Sequence, residues 1–218
     1  MTDMKRNLLS CALLLWLLPL TACAFSGKAI EGQVLEAGTN KPIPSAIVVA
    51  RWQAHLGGWG HGKTVCFHVL TTTTDAQGHY HFPAWKKAAK EDWQKHLSEK
   101  EVLISAHKPG YRLAEEYPET TPKLVPFTGA REERLKYLLH SSGLVGCYGA
   151  GDEKSLMPVY KAIYDEAKIH ATSDKDKDAL QTIRRRALYA WSRPPRELTA
   201  REIEQAIQSD PFLREQFK

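Results

Sequence analysis

Residues 74–82 read Thr-Asp-Ala-Gln-Gly-His-Tyr-His-Phe, a turn followed by a strand. Asp75-Ala76-Gln77-Gly78 supplies the turn formers, with Gly78 free to take a positive φ. Tyr80 and Phe82 then alternate with His79 and His81, the period of two of a strand with one buried face. Upstream, Thr64–Thr74 reads as the partner strand, with Val65, Phe67 and Val69 on one face. Together the two runs predict a β-hairpin.

The same pattern extends outward on both sides. Ala29–Ala37 places Ile30, Gly32 and Val34 on one face of a half-buried strand. Gly38-Thr39-Asn40-Lys41-Pro42 is dense in turn formers. Ser45–Trp52 (SAIVVARW) is rich in β-branched residues, and Val102–His107 (VLISAH) supplies a later strand before Lys108-Pro109-Gly110. Short strands punctuated by turns predict a β-sandwich over residues 23–128.

These residues also carry a resemblance. Ile30-Glu31-Gly32-Gln33-Val34, followed by Lys41-Pro42-Ile43-Pro44-Ser45-Ala46-Ile47-Val48, resembles the opening of carboxypeptidase regulatory-like domains, which read G-x-V, turn, P-I-x-G-A-x-V. Thr74–Phe82 is similar to their T-D-x-x-G-x-Y-x-F hairpin, and Lys108-Pro109-Gly110-Tyr111 to their late G-Y turn. The resemblance implies a transthyretin-like sandwich and a non-catalytic accessory role. Ser45 stands where the family usually has glycine. Two insertions also depart from the pattern, Ala54–Lys63 (AHLGGWGHGK) and Trp85–Lys100. The second reads as a charged helix with Trp93 and Leu97 on one stripe. Insertions of this kind emerge as loops where function tends to sit, which makes Trp59 and His61 candidate partner-binding residues.

From residue 129 to 218 the periodicity changes to that of helices, so the chain is expected to be α+β. Ala130–Ser142 begins helix-like, although Leu135–Leu139 also fits a last strand. Gly143–Gly151 is a glycine-rich link. Ser155 is placed to cap a helix reaching His170, with Pro158 in its first turn. Asp174–Trp191 carries Leu180, Ile183, Ala187 and Trp191 at helical spacing. Thr199 and Glu202 form a capping box before Ile203, Ala206 and Ile207.

The first 22 residues are an address. Lys5 and Arg6 precede the apolar run Leu8–Leu18, too short for a spanning helix, and small residues follow it. Leu20-Thr21-Ala22-Cys23 resembles the lipobox of bacterial lipoproteins, which implies removal of residues 1–22 and lipidation of Cys23. Acyl chains, at about 0.8 kcal/mol per buried methylene, anchor a soluble body firmly. Ala24 after the cysteine implies, by the same resemblance, an outer-membrane protein facing the periplasm of a Gram-negative envelope. With Cys11 discarded and Cys23 lipidated, Cys66 and Cys147 remain. In an oxidising compartment they are disulfide candidates, or else two separate buried thiols.

Charge and motifs narrow the functions. With 30 Lys+Arg against 25 Asp+Glu the net charge is +5, which makes no case for nucleic acid. Arg184-Arg185-Arg186 is offset by Asp174, Asp176 and Asp178, as on a solvated helix face. Gly57–Thr64 (GGWGHGKT) satisfies the phosphate-loop pattern literally, but strand residues follow where a helix is required. Neither H-E-x-x-H nor a nucleophile elbow occurs. The expectation is therefore a non-enzyme without cofactor, anchored to a membrane and binding an envelope protein or glycan. The alternative is an envelope metal-binding protein, with His79 and His81 on one strand face and His68 brought near by the hairpin.

Overall fold

A computed structural model describes residues 24–57, 63–88, 97–115, 121–194 and 197–218. The chain is α+β, with ten described strands followed by helices. The strands are β1 (Ala24–Gly27), β2 (Ile30–Gln33), β3 (Leu35–Glu36), β4 (Ile47–Leu56), β5 (Lys63–Thr73), β6 (His79–Phe82), β7 (Trp85–Ala88), β8 (Leu97–His107), β9 (Tyr111–Leu113) and β10 (Lys123–Pro126). They form four small sheets in the orders β1-β7, β2-β6, β3-β10-β9 and β5-β4-β8. All pairings are antiparallel except β3 with β10. The helices are α1 (Arg131–Leu144), α2 (Met157–His170), α3 (Asp174–Ser192), α4 (Ala200–Ser209) and α5 (Pro211–Gln216), with a 3-10 turn at Glu153–Leu156.

The β5-β4-β8 sheet is central because β4 is apolar on both faces. Val48, Ala50, Trp52 and Ala54 point into a core shared with Phe25, Val34, Tyr80, Phe82, Ile104 and Leu124. Val49, with Val69 and Cys66 of β5, points instead into a core built with the helices, among them Leu138, Tyr160, Ile163 and Ile183. The predicted single face of Val65, Phe67 and Val69 is broken. Trp52 pairs His68 while Gln53 pairs Cys66, so Phe67 is an extra, bulged residue. The bulge turns Phe67 toward the first core and leaves Val69 facing the second.

The 75–78 turn forms as its residues dictate, but the predicted hairpin does not: β6 pairs with β2 and β5 with β4, so the strands flanking the turn enter different sheets. Asp75 Oδ1 accepts from the backbone N–H groups of Gln77 and His79 at 2.9 and 2.8 Å. Gly78 has φ +74°, and a Cβ there would meet the Val34 carbonyl oxygen at 2.8 Å. The charged helix expected over Trp85–Lys100 is not what the described parts of that segment form. Trp85–Ala88 is strand β7 and Leu97–Lys100 opens β8, while Trp93 lies outside the described residues. Pairing with the N-terminal strand, Trp85 opposite Gly27, overrides local helix preference. Leu135–Leu139 is helix, not strand. Ser155 caps nothing; it sits within the 3-10 turn and donates to the Val69 carbonyl at 3.0 Å. The capping box of Thr199 and Glu202 is present, and Ser173 with Asp176 makes a second. The three arginines are fasteners rather than a free face. Arg184 pairs Glu204 at 2.6 Å, Arg185 lies 3.6 Å from Glu197, and Arg186 donates to the Leu139 carbonyl at 2.5 Å.

A buried ion pair ties strands to helices. Arg134 of α1 donates through Nε and Nη2 to Glu166 Oε1 of α2 at 2.8 and 2.6 Å. Its Nη1 reaches the Tyr111 carbonyl at 2.6 Å, and Gly110 N–H donates to the same Glu166 oxygen at 2.9 Å. His107 ends β8 beside this pair, its Nε2 3.7 Å from Glu166 Oε2. Burial first, and then the Arg134 charge, push His107 from 6.5 down to about 3. Below pH 6.5 the unfolded chain takes up a proton that folded His107 refuses, so stability falls with pH between 6.5 and about 3 and is unaffected above. His107→Gln is expected to flatten that slope by up to ~1.4 kcal/mol per pH unit. Urea midpoints at pH 6.5, 5.5 and 4.5 measure it, and an unchanged slope would exclude His107 as the titrating group.

Candidate functional site

A groove of about 820 Å³ lies where β2 and β6 meet the end of β5. Strand alternation along β6 sends Tyr80 and Phe82 into the core and leaves His79 and His81 exposed at the groove. Antiparallel pairing sets Gln33 opposite His79 and Glu31 opposite His81. His81 Nδ1 lies 3.2 Å from Glu31 Oε1, and His79 Nδ1 lies 3.7 Å from Asp75 Oδ2. Thr72, Thr73 and Thr121 complete a lining of hydroxyl, amide, imidazole and carboxylate groups. Such a surface suits a ligand rich in hydroxyls, each of which both donates and accepts.

His68 is elsewhere. It sits on β5, buried, its ring centroid 3.9 Å from that of Trp85 and 4.9 Å from that of Trp52. Its Nδ1 hydrogen bonds Asp152, a residue from the segment before α2. Lys87 Nζ of β7 donates to both Asp152 oxygens at 2.7 and 2.8 Å and also to the Ala150 carbonyl. Burial lowers the His68 pKa against the opposing pull of Asp152, which favours the neutral ring. The Nδ1 proton then belongs to the Asp152 bond, and Nε2 is buried with no hydrogen-bond partner among the described residues. The expected metal site of His68, His79 and His81 is therefore not assembled. Two of the three imidazoles face solvent at the groove, while the third packs, tilted, against the indoles of Trp52 and Trp85 and is bonded to a carboxylate. Among the described residues no group of three or more His, Cys, Asp or Glu is placed to hold a metal ion.

Cys66 and Cys147 form a disulfide with Cα atoms 5.3 Å apart. It fixes the 145–152 segment on β5 and so delivers Asp152 to His68. Glu153 orders the same segment, accepting from Gly149 N–H at 2.6 Å and Gly151 N–H at 2.9 Å while pairing with Arg193. Cys23, Trp59 and His61 lie outside the described residues. Sequence reading missed Asp152, Lys87 and Trp85. No local motif marks them, because Lys87 and Asp152 stand 65 residues apart and meet only through the sheet edge and the disulfide.

Among the described residues no helix is long and apolar enough to cross a membrane. No family model matches the chain, and no curated protein matches it either. Among solved structures, a 9R-lipoxygenase from Cyanothece PCC8801 aligns over 74% of this chain at 10% identity and a TM-score of 0.25. The chain spans 30% of that protein's length, and a likeness this slight leaves both fold and chemistry unassigned.

Proposed function

We propose that this chain is a lipid-anchored envelope protein, held through Cys23, whose carboxypeptidase regulatory-like sandwich is a non-catalytic module that binds glycan in the groove at Gln33, Thr72, Thr73 and His81. The observation that carries the reading is the groove's lining, which offers polar side chains in a wide, open concavity. The lipoprotein part is supported by Lys5-Arg6, the apolar run Leu8–Leu18 and the lipobox-like Leu20-Thr21-Ala22-Cys23. The non-catalytic part is supported by His68. Its bond to Asp152 resembles half of a catalytic triad, but the free nitrogen is buried beneath indoles and does not reach a substrate.

The binding reading is tested by titrating soluble peptidoglycan fragments into isotope-labelled protein and following backbone amide shifts. Shifts centred on Gln33, Thr72, Thr73 and His81 are expected. The double variant Gln33→Ala/His81→Ala should weaken binding about tenfold or more, at roughly 1 kcal/mol for each lost hydrogen bond. Shifts confined to the helices, or none, would overturn the glycan groove. The mass of the N-terminal peptide from protein made in a Gram-negative host reads acylation of Cys23 directly.

A further inference from the structure

Ala24 of β1 pairs with Ala88 of β7, so on the lipoprotein reading no spacer separates Cys23 from a paired strand. Consecutive Cα atoms are about 3.8 Å apart, which ties any group on Cys23 to a paired strand residue. The position of β1 on the central sheet follows from its side chains. At the Gly27 end, the opposing Trp85 packs on Trp52 and His68. At the other end, the Phe25 ring lies 5.0 Å from Phe67, and Lys100 Nζ lies 5.1 Å above it. Read from Gly27 to Ala24, β1 therefore runs toward the end of the central sheet where Leu56 pairs both Lys63 and Leu97.

That pole exposes Lys63, Lys86 and Lys100. Glu101 lies beside Lys100 and accepts from Gln53 Nε2 at 2.9 Å. The groove lies at the opposite end of β5, beside Thr72 and Thr73. The ten residue steps from Lys63 to Thr73 span roughly 33 Å at strand rise.

We infer that the pole carrying Ala24, Lys63, Lys86 and Lys100 is the face laid against an anionic lipid bilayer, with the groove held on the far side of the body. This inference rests on the lipoprotein reading. A body tethered with no spacer cannot lift away or tumble freely, so the residues around Ala24 must meet the headgroups. Lysines there are attracted to anionic lipid, and two weak signals together make a stable attachment.

The test uses the lipidated full chain from a Gram-negative host, reconstituted in phosphatidylethanolamine–phosphatidylglycerol vesicles. Lys63→Cys and Thr73→Cys, at the two ends of β5, are labelled separately with a fluorophore while the native disulfide stays intact. Quenching by shallow spin-labelled lipid is expected to be at least threefold stronger at position 63 than at 73. Replacing phosphatidylglycerol by phosphatidylcholine should at least halve the quenching at 63. Equal quenching at the two positions, or stronger quenching at 73, overturns the orientation while an acylated Cys23 keeps the lipoprotein reading. Quenching at 63 unchanged in phosphatidylcholine overturns the anionic partner. An unmodified N-terminal peptide overturns the lipoprotein reading, and the inference with it.

Discussion

Replacing Arg134 by methionine is expected to destabilise the protein by about 3–5 kcal/mol at neutral pH, the usual cost of stranding one partner of a buried ion pair. Arg134 is 1% exposed and Glu166 5%, so neither water nor salt screens the pair. Without the guanidinium, Glu166 retains the Gly110 N–H and a histidine held neutral by burial. The double variant Arg134→Met/Glu166→Leu removes both charges and should recover most of the stability, because two apolar side chains owe no desolvation. Urea denaturation of the two variants at pH 7 and pH 5 decides the matter. A double variant as unstable as the single one would mean that the bonds to Tyr111 and Gly110, rather than the charge, hold the β-region to the helices.

Removing the disulfide should cost nearly as much. Cys66 and Cys147 are 81 residues apart, and closing a loop of that length restricts the unfolded chain by about 4 kcal/mol. The variant Cys66→Ala/Cys147→Ala is expected to lose most of this, roughly 10 °C in Tm for a chain of this size. Amide exchange should rise first in residues 145–152, since that segment depends on the bridge and on Glu153 for its place on β5. Loss of the Asp152 bond should follow, seen as a changed His68 imidazole signal. A loss below 1 kcal/mol would show that Glu153, Arg193 and Lys87 hold the segment without it.

The 75–78 turn, the β4 run and the Thr199 capping box were legible in the sequence because each is local. A turn needs Asp75 and Gly78 within a few residues, and Thr199 reaches Glu202 within one helical turn. The described ends of the Trp85–Lys100 segment were misread for the opposite reason. The segment's composition suits a helix, but β7 exists because β1, about sixty residues earlier, offers it a partner. His68 was misplaced because β6 pairs with β2 rather than with β5, so no hairpin brings His68 beside His79 and His81. His79 and His81 were correctly put on one strand face, but their neighbours across β2, Gln33 and Glu31, depended on pairing register.

By itself, then, the sequence determined the α+β order, the 75–78 turn, the Thr199 capping box and the pair of cysteines available for bridging. Each rests on period, turn chemistry or a short list of residues. The tertiary structure decided which groups meet: Arg134 with Glu166, Asp152 with His68 and Lys87, and the groove histidines with Glu31 and Asp75. Their separation along the chain leaves no periodic trace. Only when β4 is buried on both faces, between the small sheets on one side and the helices on the other, do these residues come within bonding distance.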